Sequence, residues 1–317
     1  NGACVRYLNQ KSEYRDSKKF LSAIFINGDS GMNIRNGSAF IKEIATEKEK
    51  EIANALFGVG PKDPKVIGDI AYNNYGIGEE GFNISSCQFS LHYFFKDQRL
   101  LNGFVRNLAE CTKLNGYFIG TCYDGKKIFE MLQDKEKDES VLIMNGSEKQ
   151  FEITKLYSQT GFPDDEDSLG YNINVFQDSI GAVHNEYLVN FEYFKRIMEN
   201  YGFVILNKEQ AEPLGLPNGV GNFEDLFKQM ENEVKINNKL KLEYKKSMYM
   251  TTKEKQVSYL NNYFVFRKMT NVSAEKLEKN NLTKNIDETE IKPIEEPQEQ
   301  PKKVLIKRKK RVSTRQK

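Results

Sequence analysis

Residues 86–95, SCQFSLHYFF, set Gln88, His92 and Tyr93 among apolar neighbours at what reads as the end of a buried strand. The chain has 2 histidines in 317 residues, so a histidine here asks for a reason. Metal chemistry is not indicated. Cys4, Cys87, Cys111 and Cys122 lie far apart without a CxxC pair, and only His92 and His184 could join them as ligands. They read as small buried thiols in a reducing compartment rather than as a disulfide framework. An amide, an imidazole and a phenol gathered at a strand end instead suit the directed binding of a ligand, provided that other strands deliver polar groups to the same place. Taken singly, His92 equally reads as a satisfied core histidine.

The elements that would position these residues follow from changes of hydrophobic period. AIFINGD (23–29) reads as a strand ending in Asp29 and Ser30, and FNISSCQF (82–89) as a second. LLNGFVRNLAECTKLNG (100–116) places Leu100, Leu101, Phe104, Val105, Leu108 and Leu114 on one helical face, with Asn115-Gly116 as its stop. GYFIGT (116–121) reads as a strand ending in Thr121, and Asp124 as the cap of the next helix. KQFEITKLY (149–157) and LGYNINVFQ (169–177) alternate every second residue, which predicts an inserted antiparallel hairpin. A helix over 187–202, strands over 203–206 and 262–268 and a charged helical stretch between them complete an open, mainly parallel sheet covered by helices. Gly58-Val59-Gly60 reads as part of a surface insertion at 31–82. In such sheets the ligand lies outside the carboxyl ends of the strands, where Asp29, Ser30, Gln88, His92, Tyr93 and Thr121 fall. Asp29 equally reads as a turn cap.

The net charge of +2 hides a division: residues 301–317 carry nine Lys or Arg and no acid, which leaves 38 bases against 45 acids in the other 300 residues. The body is mildly acidic. From about residue 271 the chain is polar and nearly free of aromatics, so a disordered linker and basic tail are expected; the basic run reads as a solvated end, or else as an RNA contact or a nuclear-import-like signal. No stretch approaches the length of a membrane span, and the start, NGACVRYLNQ, lacks an initiator Met and reads as the interior of a longer chain.

SCQFSLHYFF, followed by LNGYFIGTCYDGKKI, resembles the strand ends of the mRNA cap guanine-N7 methyltransferases. FINGDS, NEYLVNF (185–191) and NYFVF continue the likeness in the family's order across residues 1–270. GACVRYLN, GDSGMNIRNG and FGVGPKDPKVIGD are most similar to the methyltransferase portion of capping enzymes from large nucleocytoplasmic DNA viruses. The resemblance implies a Rossmann-like class I methyltransferase sheet with helices on both faces. It also implies transfer of a methyl group from S-adenosylmethionine to N7 of the terminal guanine of capped mRNA. Asp29, Ser30, Gln88 and Tyr93 resemble cofactor-binding residues; His92, Tyr93, Glu186 and Tyr263 resemble the cap-guanine pocket. Catalysis would rest on orientation by Tyr93 and His92, since guanine N7 is already nucleophilic and no general base is needed.

The implied partners are the capped mRNA 5′ end, triphosphatase and guanylyltransferase domains upstream in the same polypeptide, and a stimulatory subunit. The implied location is the host cytoplasm's viral factory or the virion, with the nucleus as the alternative. The family's Gly-rich cofactor loop and ribose-binding acid have no counterpart here, so the expected object is a methyltransferase domain lacking its N-terminal strands and cofactor loop. Two rivals stay open: a methyltransferase of another substrate, and a non-catalytic module that binds the cap or a partner. Read from the residues alone, Glu186 equally starts the helix over 187–201, where the dipole favours a carboxylate.

Overall fold

The computed structural model describes residues 2–290 apart from 15, 17 and 18. Before the sheets come α1 (Ala3–Glu13), α2 (Glu47–Leu56) and α3 (Pro64–Asn73). The first sheet and its helices begin with β1 (Phe82–Gln88), α4 (Gln98–Cys111), β2 (Thr112–Tyr123) and α5 (Gly125–Met131). A second sheet follows, made of β3 (Ser140–Asn145), β4 (Glu148–Lys155), β5 (Asn172–Gln177) and β6 (Ala182–Tyr187). The chain then returns through α6 (Phe191–Asn200), β7 (Phe203–Ile205), α7 (Lys208–Ala211), β8 (Val220–Asn222) and α8 (Phe223–Ile236). It closes with α9 (Leu240–Tyr244), α10 (Thr252–Ser258), β9 (Asn261–Lys268) and α11 (Ala274–Glu290).

The first sheet runs β1-β2-β9-β7, with β8 also on β9; β1 and β2 are parallel, and every pairing made by β9 is antiparallel. The expectation of a mainly parallel sheet is therefore corrected, because the closing strand inserts in reverse between β2 and β7. Around it Phe95, Phe104, Phe118, Phe194, Phe264 and Phe266 form a continuous aromatic core with α4 and α6. The expected hairpin is half of a larger object. β4 and β5 do pair antiparallel, flanked by β3 and β6, and Phe151, Ile153, Ile173 and Val175 pack with Ile128 of α5 in a second core.

Local chemistry explains most helix starts. Asp97 Oδ1 accepts from the Leu100 amide at 2.9 Å, and Asp124 Oδ1 from those of Lys126 and Lys127, each capping the helix it precedes. The end of α4 is decided from elsewhere. It stops at Cys111, not at Asn115-Gly116: Lys268 of β9 donates to the carbonyls of Ala109 and Thr112 at 2.6 and 2.8 Å, and Arg35 donates to that of Glu110 at 2.9 Å. Asn115, with φ 65°, sits in a bulge of β2 instead, and Leu114 is exposed on the strand rather than helical.

Residues 23–29 do not form the expected strand. They pair with no strand among the described residues; Ile24 and Ile26 pack against α2 and α3, and the Asp29 amide donates to the Ala39 carbonyl at 2.9 Å. A β-prone segment without a partner ladder stays extended coil. Disorder from residue 271 is likewise corrected for the part that is described. Ala274 and Leu277 of α11 pack on the core, and Glu278 holds Arg106 of α4 at 2.7 Å, so an apolar stripe hidden in polar composition suffices to dock a helix. The basic run after Pro301 lies outside the described residues.

Candidate functional site

Where β1 ends, Phe89 takes φ 51°, a left-handed backbone that is strained for a non-glycine residue. Its amide is fixed by Thr121 of β2, bonding the carbonyl at 2.9 Å and the hydroxyl at 3.2 Å. The chain is thereby turned into a 3₁₀ turn over Leu91–Lys96, which buries Leu91, His92 and Phe95 and leaves Tyr93 49% exposed. The His92 and Tyr93 rings lie 4.2 Å apart at 59°.

Facing them is β6, whose pairing with β5 sets Glu186 opposite Ile173 and His184 opposite Val175. Glu186 is thus a strand residue; α6 begins at Phe191 under an Asn190 cap, which removes the helix-start reading. Its Oε2 lies 3.4 Å from His92 Nδ1, with His92 6% and Glu186 9% exposed. The contact is not an ion pair of two charged groups. Burial, reinforced by His184, lowers the His92 pKa to about 4, and burial raises that of Glu186 to about 7, so His92 is neutral at neutral pH.

These side chains open onto a cavity of about 780 Å³, walled also by Phe89, Tyr123, Gln150, Phe223 and Asn261. Its polar lining is unusual in one respect. His92 Nε2, His184 Nε2, Glu186 Oε2, Gln150 Oε1 and Asn261 Oδ1 are all buried without a hydrogen-bond partner. Each such atom costs about 1–3 kcal/mol if left unmet, so five on one cavity mark a place shaped for something to bind.

The other expected residues are placed differently. Asp29 and Ser30 lie in a turn against α4: Asp29 Oδ1 accepts from the Gly31 amide at 2.9 Å, and the Ser30 carbonyl accepts from Asn107 at 2.9 Å. Gln88 donates to Ser86 at 3.0 Å and accepts from Thr121 at 2.9 Å, outside the cavity. Tyr263 is corrected as a member of the pocket. Although paired with Thr121, it packs its ring beside Gly221 of β8 and lines a separate cleft with Asp225, while Asn261, two residues earlier, reaches the cavity. The sequence reading missed Phe89, Tyr123, Gln150, Phe223 and Asn261 as lining residues. It noticed His184 as the second histidine but gave it no role; the pairing of both histidines in one cavity is a tertiary fact.

Comparison with known proteins bears on this geometry. Residues 2–269 match the model of the mRNA (guanine-N(7))-methyltransferase domain. A probable mRNA-capping enzyme of Acanthamoeba polyphaga mimivirus is 27% identical over 229 residues, covering 63% of this chain and 18% of that protein. The mRNA cap guanine-N(7) methyltransferase of Candida albicans is 29% identical over 191 residues, covering 55% of this chain and 35% of that one. The chain thus spans about a third or less of the length of these relatives. The solved CcbJ methyltransferase of Streptomyces caelestis aligns at a TM-score of 0.30 and 9% identity, covering 61% of this chain and 59% of that chain, a likeness too shallow to weigh on the site.

Proposed function

The chain belongs to the mRNA (guanine-N(7))-methyltransferase domain family, and we propose that its buried His92–Glu186 cavity holds the terminal guanine of capped mRNA for methylation at N7. The observation that carries this reading is Glu186 Oε2, buried without a hydrogen-bond partner beside a neutral His92, in a cavity with aromatic walls. An ionised carboxylate there accepts from guanine N1–H and the N2 amine, donors that adenine does not present in that pattern. Tyr93, Phe89 and Phe223 offer flat faces to a purine, and aromatic faces favour it further once methylation makes it cationic. His92 has a distinct part. Kept neutral by burial, it lends a polar edge without placing a positive charge beside a cationic methyl donor and a cationic product. Guanine N7 is already a competent nucleophile, so these residues act by orientation, water exclusion and fixed electrostatics.

The methyl donor of this reading is S-adenosylmethionine, which supplies a sulfonium-activated methyl group. The residues present fit it in part. One Asp29 oxygen is engaged in the turn, which leaves the other for an exocyclic amine such as that of adenine, and Tyr93 stands at the cavity mouth where cofactor and cap would meet. Gln88 is committed to Ser86 and Thr121 and would act by holding the strand end, not by direct contact. By the likeness to the probable mRNA-capping enzyme of the mimivirus, the chain is inferred to be one domain of a longer capping polypeptide.

Labelled methyl transfer tests this, with the polypeptide carrying the chain and short RNAs capped by guanosine or inosine. Label should enter N7 of guanosine caps, and Glu186→Gln should lower kcat/KM on them about 10- to 200-fold while shrinking the preference over inosine. Unlabelled N7, or an unchanged guanosine preference in the variant, would sink the proposal.

A further inference from the structure

Beside the cavity lies a second groove of about 530 Å³, and Phe223, Met250 and Ser258 line both. Its floor is formed by Phe227 and Met230 of α8, and Tyr244 closes one side with its hydroxyl bonded to Glu233. Tyr244, Ser247 and Met250 of the lining belong to the segment 235–255, KINNKLKLEYKKSMYMTTKEK, which has seven lysines and two glutamates and borders the groove as its rim. A local balance of +5 stands out against the acidic body. Lys239, Lys241, Lys245, Lys246 and Lys253 form no salt bridge to any described residue. At Lys245 the backbone turns through φ 46°, folding the rim back so that Tyr244 and Ser247 face the groove. Tyr249, three residues after Lys246 in sequence, is 71% exposed.

We propose that this groove and its lysine rim bind the RNA strand that follows the cap, the first transcribed base entering the groove and the next phosphates lying along Lys241, Lys245 and Lys246. The inference rests on the guanine reading of the neighbouring cavity, because the occupant is identified by continuity with it. Charge decides the class: an exposed cationic rim with an interleaved aromatic ring suits a single strand, whose phosphates pair with lysines and whose bases stack on tyrosine. The contact is sequence-tolerant, as a capping activity acting on every transcript requires.

The test measures binding of three probes to the full chain: a cap dinucleotide, a capped 10-nucleotide RNA and the same RNA uncapped. The triple variant Lys241→Glu/Lys245→Glu/Lys246→Glu should lower affinity for both 10-mers about 30- to 100-fold at 0.1 M salt and flatten the salt dependence by about 2 in log–log slope. Tyr249→Ala should lower it about 10-fold. Dinucleotide binding should stay within about 2-fold in either variant, which also shows that each folds. Unchanged 10-mer affinity and slope, or an equal loss for the dinucleotide, would overturn the proposal. If wild type binds no dinucleotide yet the uncapped strand still loses affinity in the variants, the groove stands and the guanine reading fails.

Discussion

The His92–Glu186 cavity and the Asp29–Ser30 turn both carry polar residues that the sequence marks as candidates, yet they treat hydrogen bonds in opposite ways. In the turn, Asn107 alone donates to the carbonyls of Ser30 and Met32 at 2.9 and 2.6 Å and accepts from the Ile34 amide at 2.8 Å, while Asp29 accepts from Gly31. In the cavity, five buried polar atoms have no partner. The satisfied backbone groups of the turn hold the fold together and leave one Asp29 oxygen free; the unsatisfied cluster is kept at a cost and points to a ligand.

The largest expected effect lies on the satisfied side. Asn107→Ala should leave three backbone groups unmet and lower stability by about 3 kcal/mol, read as a shift of the denaturant midpoint. A shift below about 1 kcal/mol would mean that the turn is held by something else. Glu186→Gln should do the reverse. The folded-state pKa of Glu186 is raised, so its contribution to stability is fully present below the unfolded value near 4.5 and is lost as pH climbs through about 7. At pH 8 the substitution should therefore stabilise the protein, by up to about 3 kcal/mol, while weakening cap binding. A destabilised glutamine variant at that pH would break the contrast between the two regions.

The same group sets a pH dependence for binding. Guanine recognition needs the carboxylate, so cap affinity should fall about tenfold per unit as pH drops below about 7, and Glu186→Gln should abolish that slope. Calorimetry from about pH 5.5 to about pH 8.5 reads it directly. The smallest effect concerns His184, whose Nε2 is buried and unpaired at the far end of the same face of β6. His184→Ala should lower cap affinity about 3- to 10-fold without the stability loss seen for Asn107→Ala; an unchanged affinity would confine recognition to the Glu186 end of the cavity.

Much of the scaffold was legible because its causes are local. The apolar spacing of α4, the aspartate cap at Asp124 and the period-two runs of β4 and β5 are written within a few residues of where they act. The strand end holding His92 and Tyr93 was legible for the same reason: polar residues interrupted an apolar run where the run had to stop.

What tertiary structure alone decided depends on partners distant in the chain. Residues 23–29 have strand composition but no ladder to join, and α4 ends where Lys268 and Arg35 arrive to take its last carbonyls. Tyr263 and Asn261 share one strand, yet only the packing of β8 on β9 sends the tyrosine to a neighbouring cleft and leaves the asparagine at the cavity. Glu186 faces His92 because β6 closes the second sheet against the turn that follows β1, across 94 positions of sequence. Periodicity and capping determine which elements form, since both are read over a single turn or strand. Which side chains share a cavity is settled by the energies of pairing and burial between elements, and those are properties of the whole folded chain.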